Sequence, residues 1–166
     1  MRKALANYPA LERWTYTAGD LIDSHGYMEP KKHEGEGSGY QLREGHSYED
    51  RAMVLEPENM GPLQFIQIRS FPHTISEINW ANPNRFRSDL PLLASAYGSL
   101  QGVDAFYFFA VGSPFLLDQG WGKHPVSCPS MAWQFPAAAL AARRGDFREA
   151  EDVVTQHLSM EDLFNL

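Results

Sequence analysis

Glu77 lies in the stretch His73-Thr-Ile-Ser-Glu-Ile-Asn-Trp80, which breaks at once in Ala-Asn-Pro-Asn84. A carboxylate near a strand end, with an amide and an indole beside it, suits attack on a sugar acetal. Glycosidic hydrolysis needs such a group on one side of the ring and an acid on the other. It also needs donors that keep the carboxylate ionised and oriented. Asp23, His25 and Tyr27 form a second polar strand end. They alternate, so in an extended chain all three point the same way. A salt bridge is the plainer use of a lone strand-end glutamate, and that alternative stands beside the catalytic one.

The elements that must position these groups read as strand, loop, helix, strand. Thr74, Ile75 and Ile78 suit a strand; Phe86, Leu90, Leu93, Ala94 and Tyr97 have helical spacing; 105–111 is an apolar run. That is the unit of parallel sheets, and Glu77 falls near the carboxyl end of its first strand, where α/β barrels place their chemistry. Strict alternation puts Glu77 opposite Ser76 and Ile78 and on one side with Ile75 and Asn79. The run 105–111 has no polar face and is expected to be buried on both sides.

Around this unit, 2–14 has helical spacing interrupted by Pro9, and 21–28 reads as a short strand running into a loop. Residues 31–61 are expected to form a long loop insertion, polar and glycine-rich over 31–47 and weakly helical from Tyr48 to Glu56. The ambiguous segment 63–69 is read as a short helix behind Pro62. Gly102 closes the helix at 85–101. Pro129 opens a long helix through Arg144, a further amphipathic helix covers Arg148 to His157, and Ser159 with Asp162 caps a last turn. Trp14 and Trp133 fall on helical faces and are assigned to the core.

At 166 residues the chain has room for one domain with a core of its own. A net charge of −7, with scattered basic residues, argues against nucleic acid as a partner. No run approaches the ~20 apolar residues of a membrane span, so no membrane partner is expected. Cys128 is the one cysteine, which excludes an intrachain disulfide and disfavours a thiolate metal site. His33 and His46 lack neighbours that would complete a metal site, so no metal and no cofactor is expected. A cytoplasmic location is the default reading. The 13% aromatic content serves either a bulky core or stacking surfaces for a flat ligand such as a sugar ring.

Ser76-Glu-Ile-Asn-Trp-Ala-Asn-Pro-Asn84, with Pro91-Leu-Leu-Ala-Ser-Ala-Tyr-Gly-Ser-Leu-Gln-Gly-Val-Asp-Ala-Phe106, resembles the seventh and eighth barrel strands of clan A glycoside hydrolases. Ile22-Asp-Ser-His-Gly-Tyr-Met-Glu-Pro30 resembles the His-x-Tyr strand end that precedes the nucleophile strand in their cellulase-like and β-galactosidase-like members. The resemblance spans about residues 20–150. It implies a retaining enzyme with Glu77 as nucleophile, Tyr27 hydrogen-bonded to it and His25 beside them. A carbohydrate substrate would then meet Asp23, Asn79, Trp80, Asn82 and Trp121.

The chain departs from that pattern in two ways. A complete (β/α)₈ barrel takes ~250 residues, whereas barrel strands are found only at 21–26, 74–79 and 105–111. The family's acid/base glutamate follows an asparagine, and no Asn-Glu pair occurs. The expectation is therefore an α/β fold corresponding to the C-terminal portion of a TIM barrel. It would be one incomplete catalytic domain over 1–166, with three to four parallel strands and flanking helices. As part of a longer enzyme, secreted or periplasmic for all this chain says, it would be inactive alone. Its partners would be the missing N-terminal half of the barrel, or another copy through an open sheet edge. The alternatives are a catalytically inactive carbohydrate-binding or interaction domain, and an unrelated α/β domain in which Glu77 forms a salt bridge.

Overall fold

The computed structural model describes residues 9–29, 31–34, 42–56, 63, 67–111 and 122–165. Its centre is an all-parallel sheet of three strands, β1 (Ile22–Met28), β4 (His73–Trp80) and β5 (Ala105–Phe108), in the order β1-β4-β5. Helix α1 (Pro9–Tyr16) precedes β1, and α2 (Leu90–Leu100) makes the crossover from β4 to β5. Helices α3 (Pro129–Ala132), α4 (Phe135–Arg144) and α5 (Met160–Asn165) follow. The chain is thus mixed α/β, with helices flanking a parallel sheet.

The core gathers on one side of the sheet. Met28, Ile75, Ile78 and Trp80 pack there with Leu90 and Ala94 of α2, and with Met53, Leu63 and Met131. Residues 85–89 enter α2 as a 3₁₀ turn in which the Asn84 side chain accepts from the Phe86 amide. Pro91 sits in the first turn of α2, where its missing N–H has no intrahelical acceptor to lose. Gly102, at φ 66°, ends that helix, as expected of a residue without Cβ in the left-handed region.

Between Ile75 and Ile78, β4 carries one residue more than either neighbour. Ser24 and His25 of β1 pair with Ile75 and Glu77, while Phe106 and Phe108 of β5 pair with Ile75 and Ile78. This β-bulge reverses alternation from that point on.

Several expectations are corrected. Of the helical stretch expected over 2–14, residues 2–8 lie outside the described residues, and α1 is described from Pro9 on. Inside the stretch read as loop, β2 (Lys31–Glu34) pairs antiparallel with β3 (Ser47–Glu49), and Met53–Leu55 is a 3₁₀ turn. Of the helix expected over 63–69, residues 64–66 lie outside the described residues, and 67–69 are not helical. The long helix from Pro129 is two helices: the Pro136 ring would clash with the carbonyl four residues back, so α3 stops at Ala132. Residues 148–157 are not helical, and Val153 and Val154 are 91% and 84% exposed. Among the described residues nothing covers their stripe, and a helix that short needs tertiary packing to form. The cap at Ser159 is present: its amide and hydroxyl donate to Asp162, and the Asp162 amide donates back to the Ser159 hydroxyl.

Trp14 and Trp133, assigned to the core, lie at the surface, 42% and 80% exposed. The β5 run, expected to be covered on both faces, has Tyr107 60% exposed. Among the described residues, β5 is an edge strand of its sheet.

Candidate active site

The polar face of the sheet is built by β1 and the bulged part of β4. Asp23, His25 and Tyr27 share that face because β1 is regular and they alternate along it. On β4 the bulge brings Ser76 and Glu77, adjacent in sequence, to the same face. Ile75 and Ile78 on either side point into the core, fully buried. The expectation that Glu77 shares a side with Ile75 is therefore corrected.

Three of the expected catalytic groups meet. The Tyr27 hydroxyl donates a hydrogen bond to Glu77 Oε2. His25 Nδ1 lies 3.5 Å from the same oxygen, and its Nε2 lies 3.0 Å from Ser76 Oγ and 3.6 Å from Asp23 Oδ2. The imidazole thus stands between two carboxylates. The Glu77 and His25 side chains retain 34% and 49% of their exposure, so both can be reached from solvent.

Asp23 is occupied differently from the expected substrate contact. Its Oδ1 accepts from Thr74 Oγ1 at 3.1 Å and from the Ser76 amide at 2.9 Å, and its Oδ2 accepts from Ser76 Oγ at 2.6 Å. Burial alone would raise its pKa. The donors from Ser76, Thr74 and the Ser24 backbone outweigh that and hold it below the usual carboxylate range. A carboxylate kept ionised in this way cannot serve as the general acid.

Of Asn79, Trp80 and Asn82, expected to meet substrate, the first two are fully buried, and Asn82 is half-buried with both ends of its amide occupied. Trp80 is fully buried in the core because the bulge returns it to the side of Ile78. Asn79 is fully buried as well: its amide donates to the Phe109 carbonyl and, at 2.7 Å, to that of His124. Asn82 donates to the Gly122 carbonyl at 3.1 Å and accepts from Arg87. The two amides thereby fasten the loop after β5 to the end of β4. Trp121 lies outside the described residues.

Five participants went unnoticed as site residues. Ser76 and Thr74 anchor Asp23. Arg87, 5% exposed, donates to Asn82 and to the Pro125 carbonyl, and burial lowers its pKa. His124 stacks edge-on to Tyr27, ring centroids 5.2 Å apart. Burial holds its imidazole below the ordinary histidine range, with Glu29 opposing, so it forms a neutral wall of the site. Lys123 closes the rim with an ion pair of 2.6 Å to Glu29, beyond the end of β1. A readable signal existed for Ser76 alone: two polar residues in succession between two isoleucines break the period of a half-buried strand.

No group of three or more His, Cys, Asp or Glu side chains among the described residues is arranged to hold a metal ion. No helix among them is long and apolar enough to cross a membrane. Compared with known proteins, the chain matches no protein-family model, no curated protein and no solved structure.

Proposed function

We propose that the chain is the C-terminal part of a retaining glycoside hydrolase acting on O-glycosidic bonds of an oligo- or polysaccharide, with Glu77 as nucleophile. The observation that carries the reading is the Tyr27–Glu77 hydrogen bond between neighbouring parallel strands, in the C-terminal half of each. A tyrosine donor on the carboxylate holds it in one orientation for attack. In this mechanism Glu77 bonds to the anomeric carbon as the bond to the leaving oxygen breaks. An acid supplied from outside this chain protonates the leaving group, and water then hydrolyses the glycosyl ester. The lowered pKa of Asp23 supports placing that acid elsewhere.

The test combines sequence and labelling. DNA upstream of Met1 is expected to continue in frame with further strand–helix units. The longer product, treated with 2-deoxy-2-fluoroglycosyl fluorides, should gain one glycosyl mass on the peptide containing Glu77. Fluoride leaves without protonation, so the label reports the nucleophile alone. Glu77→Gln should take no label. A missing upstream barrel, or a label carried by another residue, ends this reading.

A further inference from the structure

We propose that Asp23 is the positioning residue of this site: its carboxylate holds the β4 bulge in place and so aims Glu77 at Tyr27. The inference rests on the reading of Glu77 as the nucleophile and adds a residue that acts through it. Inserting one residue into a strand leaves that residue's backbone groups out of the regular ladder. Here the extra residue lies between Ile75 and Ile78, and the Ser76 amide donates to Asp23 Oδ1 at 2.9 Å. The Ser76 hydroxyl donates to Oδ2 at 2.6 Å, and Thr74, at the other side of Ile75, donates to Oδ1 at 3.1 Å. One carboxylate therefore clamps the strand across the start of the bulge.

The consequence for Glu77 follows from parity. Without the bulge, Glu77 would fall on the side of Ile75, into the core, and Ser76 and Ile78 would face β1's polar side instead. With it, Ser76 and Glu77 both face β1's polar side, and the carboxylate reaches Tyr27 and His25. Both oxygens of Asp23 are used in this clamp, so its role is exerted through Glu77 rather than on substrate.

The test reads geometry first and turnover second. With ¹³C-labelled tyrosine, the Tyr27 ζ-carbon resonance of this chain reports its hydrogen bond, and Glu77→Ala defines the position without an acceptor. In Asp23→Ala the Tyr27 resonance should move to that position, while the buried Trp80 indole signal on the core face stays unchanged. In Asp23→Asn the amide oxygen still accepts from Thr74 and the Ser76 amide, so Tyr27 should remain at its wild-type position.

A folded Asp23→Ala chain with Tyr27 unmoved overturns the proposal. Should Asp23→Ala not fold, Asp23→Glu keeps the charge and adds one methylene. Tyr27 is expected to move there too, and its staying in place overturns the proposal equally. In the longer enzyme, Asp23→Ala should slow labelling of Glu77 by about 10-fold or more, with Asp23→Asn largely restoring it; equal slowing in both variants counts against the clamp. If the wild-type enzyme takes no label, the hydrolase reading fails while the resonance result still decides the role of Asp23.

Discussion

Ile75 and Ile78, three positions apart on one strand, point to the same side of the sheet, and both are fully buried. A regular strand would send them to opposite faces. The bulge between them therefore does two things at once. It keeps two large aliphatic groups in the core, and it presents Ser76 and Glu77 together to Asp23, His25 and Tyr27. Had the register run straight, one isoleucine would face the polar side and the glutamate would be buried. Both outcomes are costly, so burial favours the bulged register, and the Asp23 carboxylate fixes how Ser76 and Glu77 sit within it.

Tyr27→Phe separates the site from the fold. The substitution removes one hydroxyl whose bond goes to a carboxylate still 34% exposed, so water can replace it. Stability measured by urea unfolding of this chain should fall by no more than about 1 kcal/mol, the size of an ordinary hydrogen bond. In the longer hydrolase proposed above, losing a preorganised donor should cost on the order of 10²-fold in kcat. A loss of several kcal/mol with activity intact would make Tyr27 a structural residue.

The parallel strands were legible because they depend on local pattern, whereas the meeting of Tyr27 with Glu77, 50 residues apart, was expected from the resemblance. Apolar residues with β-branched neighbours mark β4, and the alternation of Asp23, His25 and Tyr27 needs only an extended chain. The bulge was missed because strict period-2 reading was carried through Ser76 and Glu77. Trp80 and Asn79 were misjudged downstream of it, since their roles depend on which way β4 faces and what its end must hold. The β2–β3 pairing was hidden for another reason: Lys31–Glu34 has no apolar face, so no hydrophobic period announces it. Residues 148–157 show the converse, a helical stripe with nothing opposite. The Ala150 amide bonds instead to the Leu100 carbonyl, and Asp152 pairs with Arg69.

Acid should destabilise the chain in two stages. His73, 1% exposed, and His124 have pKa values lowered chiefly by burial. The unfolded forms therefore bind protons first, so their contribution is complete above about pH 6.5 and declines as pH falls below it. Asp23 is also lowered, and its contribution is complete above about pH 3.9 and declines further down. Urea midpoints should thus be level from pH 7 to 8, lower at pH 5.5, and lower again near pH 3. Asp23→Asn should flatten the second stage and keep the first, slightly enlarged, because the Asp23 charge opposes the lowering of the His73 pKa. A wild-type midpoint unchanged between pH 7.5 and 5.5 would contradict the buried, neutral histidines.

Gly98 gives a prediction whose sign is decided by competition between two local effects. It lies inside α2, where alanine is favoured over glycine by about 1 kcal/mol. It is also buried directly under the ring of Phe106 on β5, and an added Cβ would stand closer than 3.0 Å to two ring carbons. Phe106 packs against the core cluster, so moving its ring disturbs neighbours rather than solvent. Overpacking of this kind costs about 1–3 kcal/mol, which exceeds the helical gain. Gly98→Ala should therefore lower stability by about 1 kcal/mol in urea unfolding. In a Phe106→Leu background the obstacle is removed, and the same substitution should become neutral or stabilising by up to about 1 kcal/mol. The coupling between the two positions, read from the double-mutant cycle, should be at least about 1 kcal/mol. A cycle that closes to zero would mean that the ring yields freely and that α2 does not rely on glycine to approach β5.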